Sequence, residues 1–180
     1  MRIRLFKEDS GQALIEVSVA AVALCVLILG IVDFGRAIYD VQVIKNLAGE
    51  GSSMASRGTS SATTVQTVAN YAGSNLNMAS NGCIIETIVS NSGGTPTITD
   101  QAYNCPIGTK SKVGCLVGVN GCQSSTPTVP AAVTTALTTE VNGSNIAITE
   151  IYYNFSTITP ITSFLGSNAV PSQFYTAAYY

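Results

Sequence analysis

Between Ala13 and Ile31 the only polar side chains are Glu16 and Ser18, and this run constrains the chain more than any other feature. It is about 19 residues long, close to the roughly 20 that a helix needs to cross the hydrocarbon layer of a bilayer. It therefore reads as a membrane span. Arg2, Arg4 and Lys7 precede it. Positive charge at a span's flank stays cytoplasmic, so everything after Asp33 is directed outwards. A secretory signal peptide shares the basic start, but its apolar region is about 7 to 15 residues long and closes on a small-x-small cleavage site. Here the exit is Gly30-Ile-Val-Asp-Phe-Gly-Arg36, without that pattern. Leu24 is too bulky before Cys25 for a lipoprotein-type cysteine, which leaves Cys25 as a packed membrane residue.

Composition removes several function classes. The chain has 180 residues, of which 10% are charged, against roughly 25% in soluble domains. Half of these charges precede Val41, and the remainder of the chain is rich in Thr, Ser, Asn and Gly. A net charge of -2 without a dense Lys/Arg patch lacks the electrostatic term that nucleic-acid binding requires. There is no His and no Trp, so the usual general base and the commonest metal ligand are missing. Asp100, Glu86, Glu140 and Glu150 lie in separate segments without a discernible catalytic pair. The expectation is a non-enzymatic protein without cofactor or metal.

Glu16 remains to be explained, because an unpaired charge inside an apolar run costs several kcal/mol. Lys7-Glu-Asp-Ser-Gly11, then Gln12-Ala-Leu-Ile-Glu16-Val17, then the apolar run resembles the class III prepilin signal of type IV pilin-like proteins. The resemblance implies that a prepilin peptidase cuts after Gly11 on the cytoplasmic side, making Gln12 the first residue and Glu16 the fifth. It further implies that the Glu16 carboxylate meets the new α-amino group of a neighbouring subunit. Such an amine is positive at neutral pH, and breaking one partner of a buried pair costs about 3 to 5 kcal/mol. The bland alternative is that Glu16 snorkels to the headgroups.

The continuation Gly30-Ile-Val-Asp-Phe-Gly-Arg-Ala-Ile-Tyr39, with Asn46 and Ala48-Gly-Glu-Gly51, is similar to the N-terminal signature of the TadE-like pseudopilins, minor pilins of tight-adherence (Flp) pilus systems. The resemblance covers about residues 7 to 57. A weaker one covers Ile146 to Phe155, Pro160, Phe164-Leu165 and Phe174 to Tyr180, while Val17 stands where the family more often has Phe or Tyr. Implied partners are the prepilin peptidase, other pilin subunits through the N-terminal helix, and the bacterial inner membrane before assembly, with the C-terminal domain extracytoplasmic. Methylation or cyclisation at Gln12 is left open.

Beyond the membrane, Phe34, Ala37, Ile38, Val41, Ile44, Leu47 and Ala48 recur at the steps of an amphipathic helix. This predicts a continuous rod to about Met54, roughly 65 Å from Gln12 at 1.5 Å per residue. Gly49 and Gly51 weaken its end and Arg57-Gly58 closes it. Asp33 and Arg36, at i and i+3, read as a solvated ion pair or a subunit contact.

A second, shorter helix is expected after Ser60-Ser61, ending by Asn81-Gly82. A hairpin is expected from Cys83 to Val89 and Thr97 to Tyr103 around Ser92-Gly-Gly-Thr-Pro96. Residues 104 to 130 read as a loop region, and Pro130 to Val141 is either a short helix or a strand. Ile146 to Phe155 and Gln173 to Tyr180 read as strands. The fold expected is α+β, a long N-terminal transmembrane and stalk helix packed on a small, mostly antiparallel sheet. Its divisions would be a leader over 1–11, a stem over 12–57 and an extracytoplasmic domain over 58–180.

Cys83, Cys105, Cys115 and Cys122 fall on the outer side, where disulfides persist. Three connectivities are possible. Cys83 with Cys105 and Cys115 with Cys122 is favoured because each closes a local loop. The spacings lack the close ligand pairs of a zinc site. Gly118 to Gly121 is not a phosphate loop, and the N-x-[ST] patterns at Asn142 and Asn154 are chance-level matches. Tyr152, Tyr153, Tyr179 and Tyr180 either form a binding patch or divide with half in the core. The functional expectation is a minor pilin; the alternatives are an uncleaved membrane-anchored adhesion domain and a major pilus subunit.

Overall fold

The computed structural model describes residues 9–72, 76–116, 127–159, 166 and 171–180. The order is α1 (Asp9–Ser56), α2 (Ser61–Ala72), α3 (Met78–Asn81), β1 (Gly82–Ser92), β2 (Thr95–Asn104), α4 (Ala131–Thr139), β3 (Asn145–Asn154) and β4 (Gln173–Tyr179). The architecture is α+β, a long apolar helix followed by a four-stranded antiparallel sheet. The ambiguous stretch after Pro130 is the helix α4. Two compact units emerge from the packing, one of residues 1–38 and 156–171, the other of 39–155 and 172–180.

In the first unit α1 presents its apolar side chains outwards: Leu14, Val22 and Ile31 are 73%, 65% and 72% exposed. Phe34 and Ile38, expected on the packed face, are also exposed. The buried positions there are Asp33 and Ala37. Among the described residues α1 is the one helix long and apolar enough to cross a membrane.

In the second unit the strand order is β2-β1-β3-β4, and the central strands are covered on both faces. On one face Ile84, Ile151 and Tyr153 pack with Ile44 and Ala48 of α1 and Val65, Val68 and Ala72 of α2. On the other, Val89, Ile98 and Ile148 pack with Val113 and Leu137. Cys83, Ile85 and Tyr152 continue that second face under Tyr103, Cys105 and Ile107.

The hairpin register sets Ile84 opposite Asn104 and Ser92 opposite Thr95, with a bulge at Ile88/Val89. Its turn places Gly93 and Gly94 at φ of 60° and 85°, a left-handed pair that side chains with a Cβ rarely adopt. Asn91 Oδ1 accepts from the Gly94 amide at 2.8 Å and Asn142 Oδ1 from the Gly93 amide at 2.9 Å. Ser60 begins α2, its Oγ accepting from the Thr63 amide at 3.3 Å.

At Gly51 the helix comes close to the sheet. A Cβ there would lie 2.8 Å from Thr149 Oγ1 and 3.1 Å from Val68 Cγ2. Thr149 cannot turn away freely, because its hydroxyl donates to Glu86 Oε2. Gly51 thus sets the approach of the helix rather than only weakening its end. Gly51→Ala is expected to destabilise the unit by about 1 to 3 kcal/mol through overpacking, read as a lower melting temperature of the detergent-solubilised chain. An unchanged melt would show that the contact relaxes.

Candidate functional site

Three arrangements of charged side chains stand out among the described residues. The first lies at the start of α1. The helix already includes Gly11 and Gln12, and the space beside the Gly11 Cα is open. Gln12 Nε2 donates to Glu16 Oε1 at 3.2 Å, an i,i+4 bond on an exposed face. Ser18 satisfies its hydroxyl by donating to the Ile15 carbonyl at 2.8 Å, so it enters the apolar run at little polar cost. Among the described residues Glu16 has no such local sink for its charge, only the neutral amide of Gln12.

The second arrangement lies just past the apolar run. Asp33 is fully buried. Its Oδ1 accepts from the Ile158 amide at 3.1 Å, and its Oδ2 from the Thr159 amide at 3.3 Å and from the Thr159 hydroxyl. Arg36 Nη1 stands 3.9 Å from Asp33 Oδ1 and donates to the Ser156 carbonyl at 3.4 Å. Burial pushes the Asp33 pKa up, but the Thr159 hydroxyl, the two amides and Arg36 together outweigh it and hold the carboxyl below its ordinary range. The expectation of a solvated ion pair is corrected: Asp33 is a buried clasp for residues 156–159, and Arg36 is its partly exposed flank. Nothing local in the sequence points to this, since the partners are 125 and 126 residues away.

The third is a pair of carboxylates on the sheet. Glu86 faces Thr149 and Ile85 faces Glu150, so the one-residue offset sends Glu86 and Glu150 to opposite faces. Glu150 accepts from the Ser111 hydroxyl, from the Lys112 amide at 2.9 Å, and from the Tyr152 and Tyr175 hydroxyls at 3.3 and 3.1 Å. The Lys112 ammonium lies 3.7 Å from the Tyr175 ring centroid. Burial, then the charge of Glu150, pushes both tyrosines up. Glu86 differs: its Oε2 accepts from Thr149, but its Oε1 is buried without a partner among the described residues. Burial is the main cause raising its pKa to about 7; Thr149 opposes the rise and the charge of Asp100 adds to it.

A disulfide joins Cys83 to Cys105 across the open end of the hairpin. Cys115 is also disulfide-bonded, and Cys122 lies outside the described residues. Cys25 is a free, exposed thiol on α1. Of the tyrosines expected as a patch or core, Tyr152 and Tyr153 are buried and Tyr180 is exposed. Among the described residues no group of His, Cys, Asp or Glu is arranged to hold a metal ion.

A family model, that of the TadE-like proteins, matches residues 11–53. Over that stretch, about a quarter of the chain, the sequence is similar to TadE-like proteins. The match begins at Gly11 and ends three residues short of the end of α1, so it covers the helix with Glu16 and Asp33 and none of the sheet. The TadE-like family is structural and pilin-like, associated with the tight-adherence pilus. No curated protein and no solved structure matches the chain.

Proposed function

We propose that this TadE-like chain is a minor pilin of a tight-adherence (Flp) pilus, made as an inner-membrane precursor and cut by a prepilin peptidase between Gly11 and Gln12. Residues 1–11 are then the leader, 12–57 the stem, and 58–180 the extracytoplasmic domain. The observation that carries the reading is Glu16. It is an exposed carboxylate on an apolar helix, bonded among the described residues to an amide four residues before it. A new α-amino group at Gln12 of a neighbouring subunit supplies the missing positive charge and sets the axial register between subunits.

Arg2, Arg4 and Lys7 support an N-terminus on the inside, a topology in which the disulfides of the sheet domain would form on the oxidising side. The partners are the peptidase and other pilin stems. The chain itself does no chemistry.

N-terminal peptide mapping of the protein extracted from native membranes tests this. A chain beginning at Gln12, lost in a Gly11→Asp variant and in cells without prepilin peptidase, is the expected result. The same intact mass reports methylation or cyclisation of Gln12. A chain beginning at Met1 would overturn the reading in favour of an uncleaved membrane-anchored adhesion domain.

A further inference from the structure

The Asp33 clasp fixes the height of a piece of the C-terminal chain. The apolar run ends at Ile31, and two more residues of helix add roughly 3 Å along its axis. The Ile158 amide is then tied to Asp33 Oδ1 at 3.1 Å. The headgroup layer extends roughly 5 to 8 Å beyond the hydrocarbon on each side of a bilayer. Ile158 therefore falls within that layer whenever α1 spans.

Its side chain is 68% exposed, in the same unit as Ile31, Phe34 and Ile38, which are exposed as well. The buried carboxylate holds the Ile158 and Thr159 amides and so fixes this isoleucine beside the end of the apolar run. At a lipid boundary each part has a role. The carboxylate is covered, so its charge is kept away from the acyl chains. The amides that face it are satisfied. The Arg36 side chain, 40% exposed, suits lipid phosphate while its stem lies along apolar surface.

We propose that the segment Ser156–Thr159 is an interfacial mooring: clasped by Asp33, it lays Ile158 into the headgroup–acyl boundary of the outer leaflet, giving the chain a second membrane contact besides the span. The occupant of this surface is lipid. The mooring rests on the reading of α1 as a membrane span, and it is independent of cleavage at Gly11.

The chain has no tryptophan, so one introduced indole reports its own surroundings. The full chain carrying Ile158→Trp, and separately Val22→Trp, is reconstituted into phosphatidylcholine–phosphatidylglycerol vesicles with lipids brominated near the headgroup or deep in the acyl chain. Val22→Trp should be quenched most by the deep bromines, which verifies the span. Ile158→Trp should be blue-shifted and quenched most by the shallow bromines, and adding Asp33→Ala should remove that quenching with far-UV circular dichroism unchanged.

An unquenched, water-like indole at position 158 beside a quenched one at position 22 would overturn the mooring and leave the span standing. Loss of quenching at both positions would remove the span and the mooring together. Should Asp33→Ala misfold, the shallow quenching of Ile158→Trp in the otherwise unaltered chain still decides the matter.

Discussion

Glu150→Leu is expected to lower the stability of the sheet unit by about 3 kcal/mol or more, since buried donors left without an acceptor cost about 1 to 3 kcal/mol each. Four donors converge on this carboxylate: the Ser111 hydroxyl, the Lys112 amide and the hydroxyls of Tyr152 and Tyr175. Tyr152 is 2% exposed, so water cannot replace the lost acceptor there. The change also unpins the loop that starts at Cys105, because Ser111 holds the Val113 and Gly114 amides at 3.1 and 3.2 Å. Lys112 suffers less. It is itself exposed, and its ammonium keeps the Tyr175 face. Glu150→Gln should fall between, since its carbonyl oxygen accepts but its amide group meets donors with donors. Thermal melts of the full chain in mild detergent, followed by far-UV circular dichroism, rank the three proteins. Glu150→Leu melting with the parent would show that the hub contributes little.

The same strand explains what the sequence conceals. In Ile146-Ala-Ile-Thr-Glu-Ile-Tyr-Tyr the alternation is easily read as β, and it is the strand β3. Alternation normally means one dry face and one wet face. Here α1 and α2 cover one face and the segment 105–116 with α4 covers the other, so Thr149 and Glu150 are both fully buried. A loop without periodicity gave no sign that it would cover a sheet. The long helix and the hairpin were legible because apolar length and a Gly-Gly turn are local signals. The Asp33 clasp and the Gly51 contact were not, since each depends on a partner near position 150 or beyond. Glu16 is the intermediate case. Its spacing from Gly11 singles it out, whereas its exposure on α1 is seen only once the helix is built.

On the opposite face the outcome should reverse: Glu86→Gln is expected to stabilise the unit at pH 8 and leave it little changed at pH 4. The pKa of Glu86 is raised from 4.5 to about 7 in the folded chain. Below 4.5 the group is neutral in both folded and unfolded states and carries no penalty. Between 4.5 and about 7 the folded chain holds the proton more tightly, so stability falls as the pH rises. Above about 7 the whole penalty is present, of order 3 kcal/mol at 1.36 kcal/mol per pKa unit. Removal of the charge, with Thr149 still able to donate to the amide oxygen, should recover about 2 kcal/mol of that at pH 8. It should also flatten the stability profile between pH 4.5 and 7. Asp100→Asn should lower the midpoint of that slope, because the charge of Asp100 is one cause of the raised pKa. Melting temperatures across pH 4 to 8 for the parent and Glu86→Gln decide it. A Glu86→Gln profile that keeps the parent's slope would place the titrating group elsewhere. The two carboxylates then separate on a single physical difference. Glu150 accepts from four donors, whereas Glu86 has one donor and, among the described residues, an oxygen with none, so burial decides the protonation of Glu86.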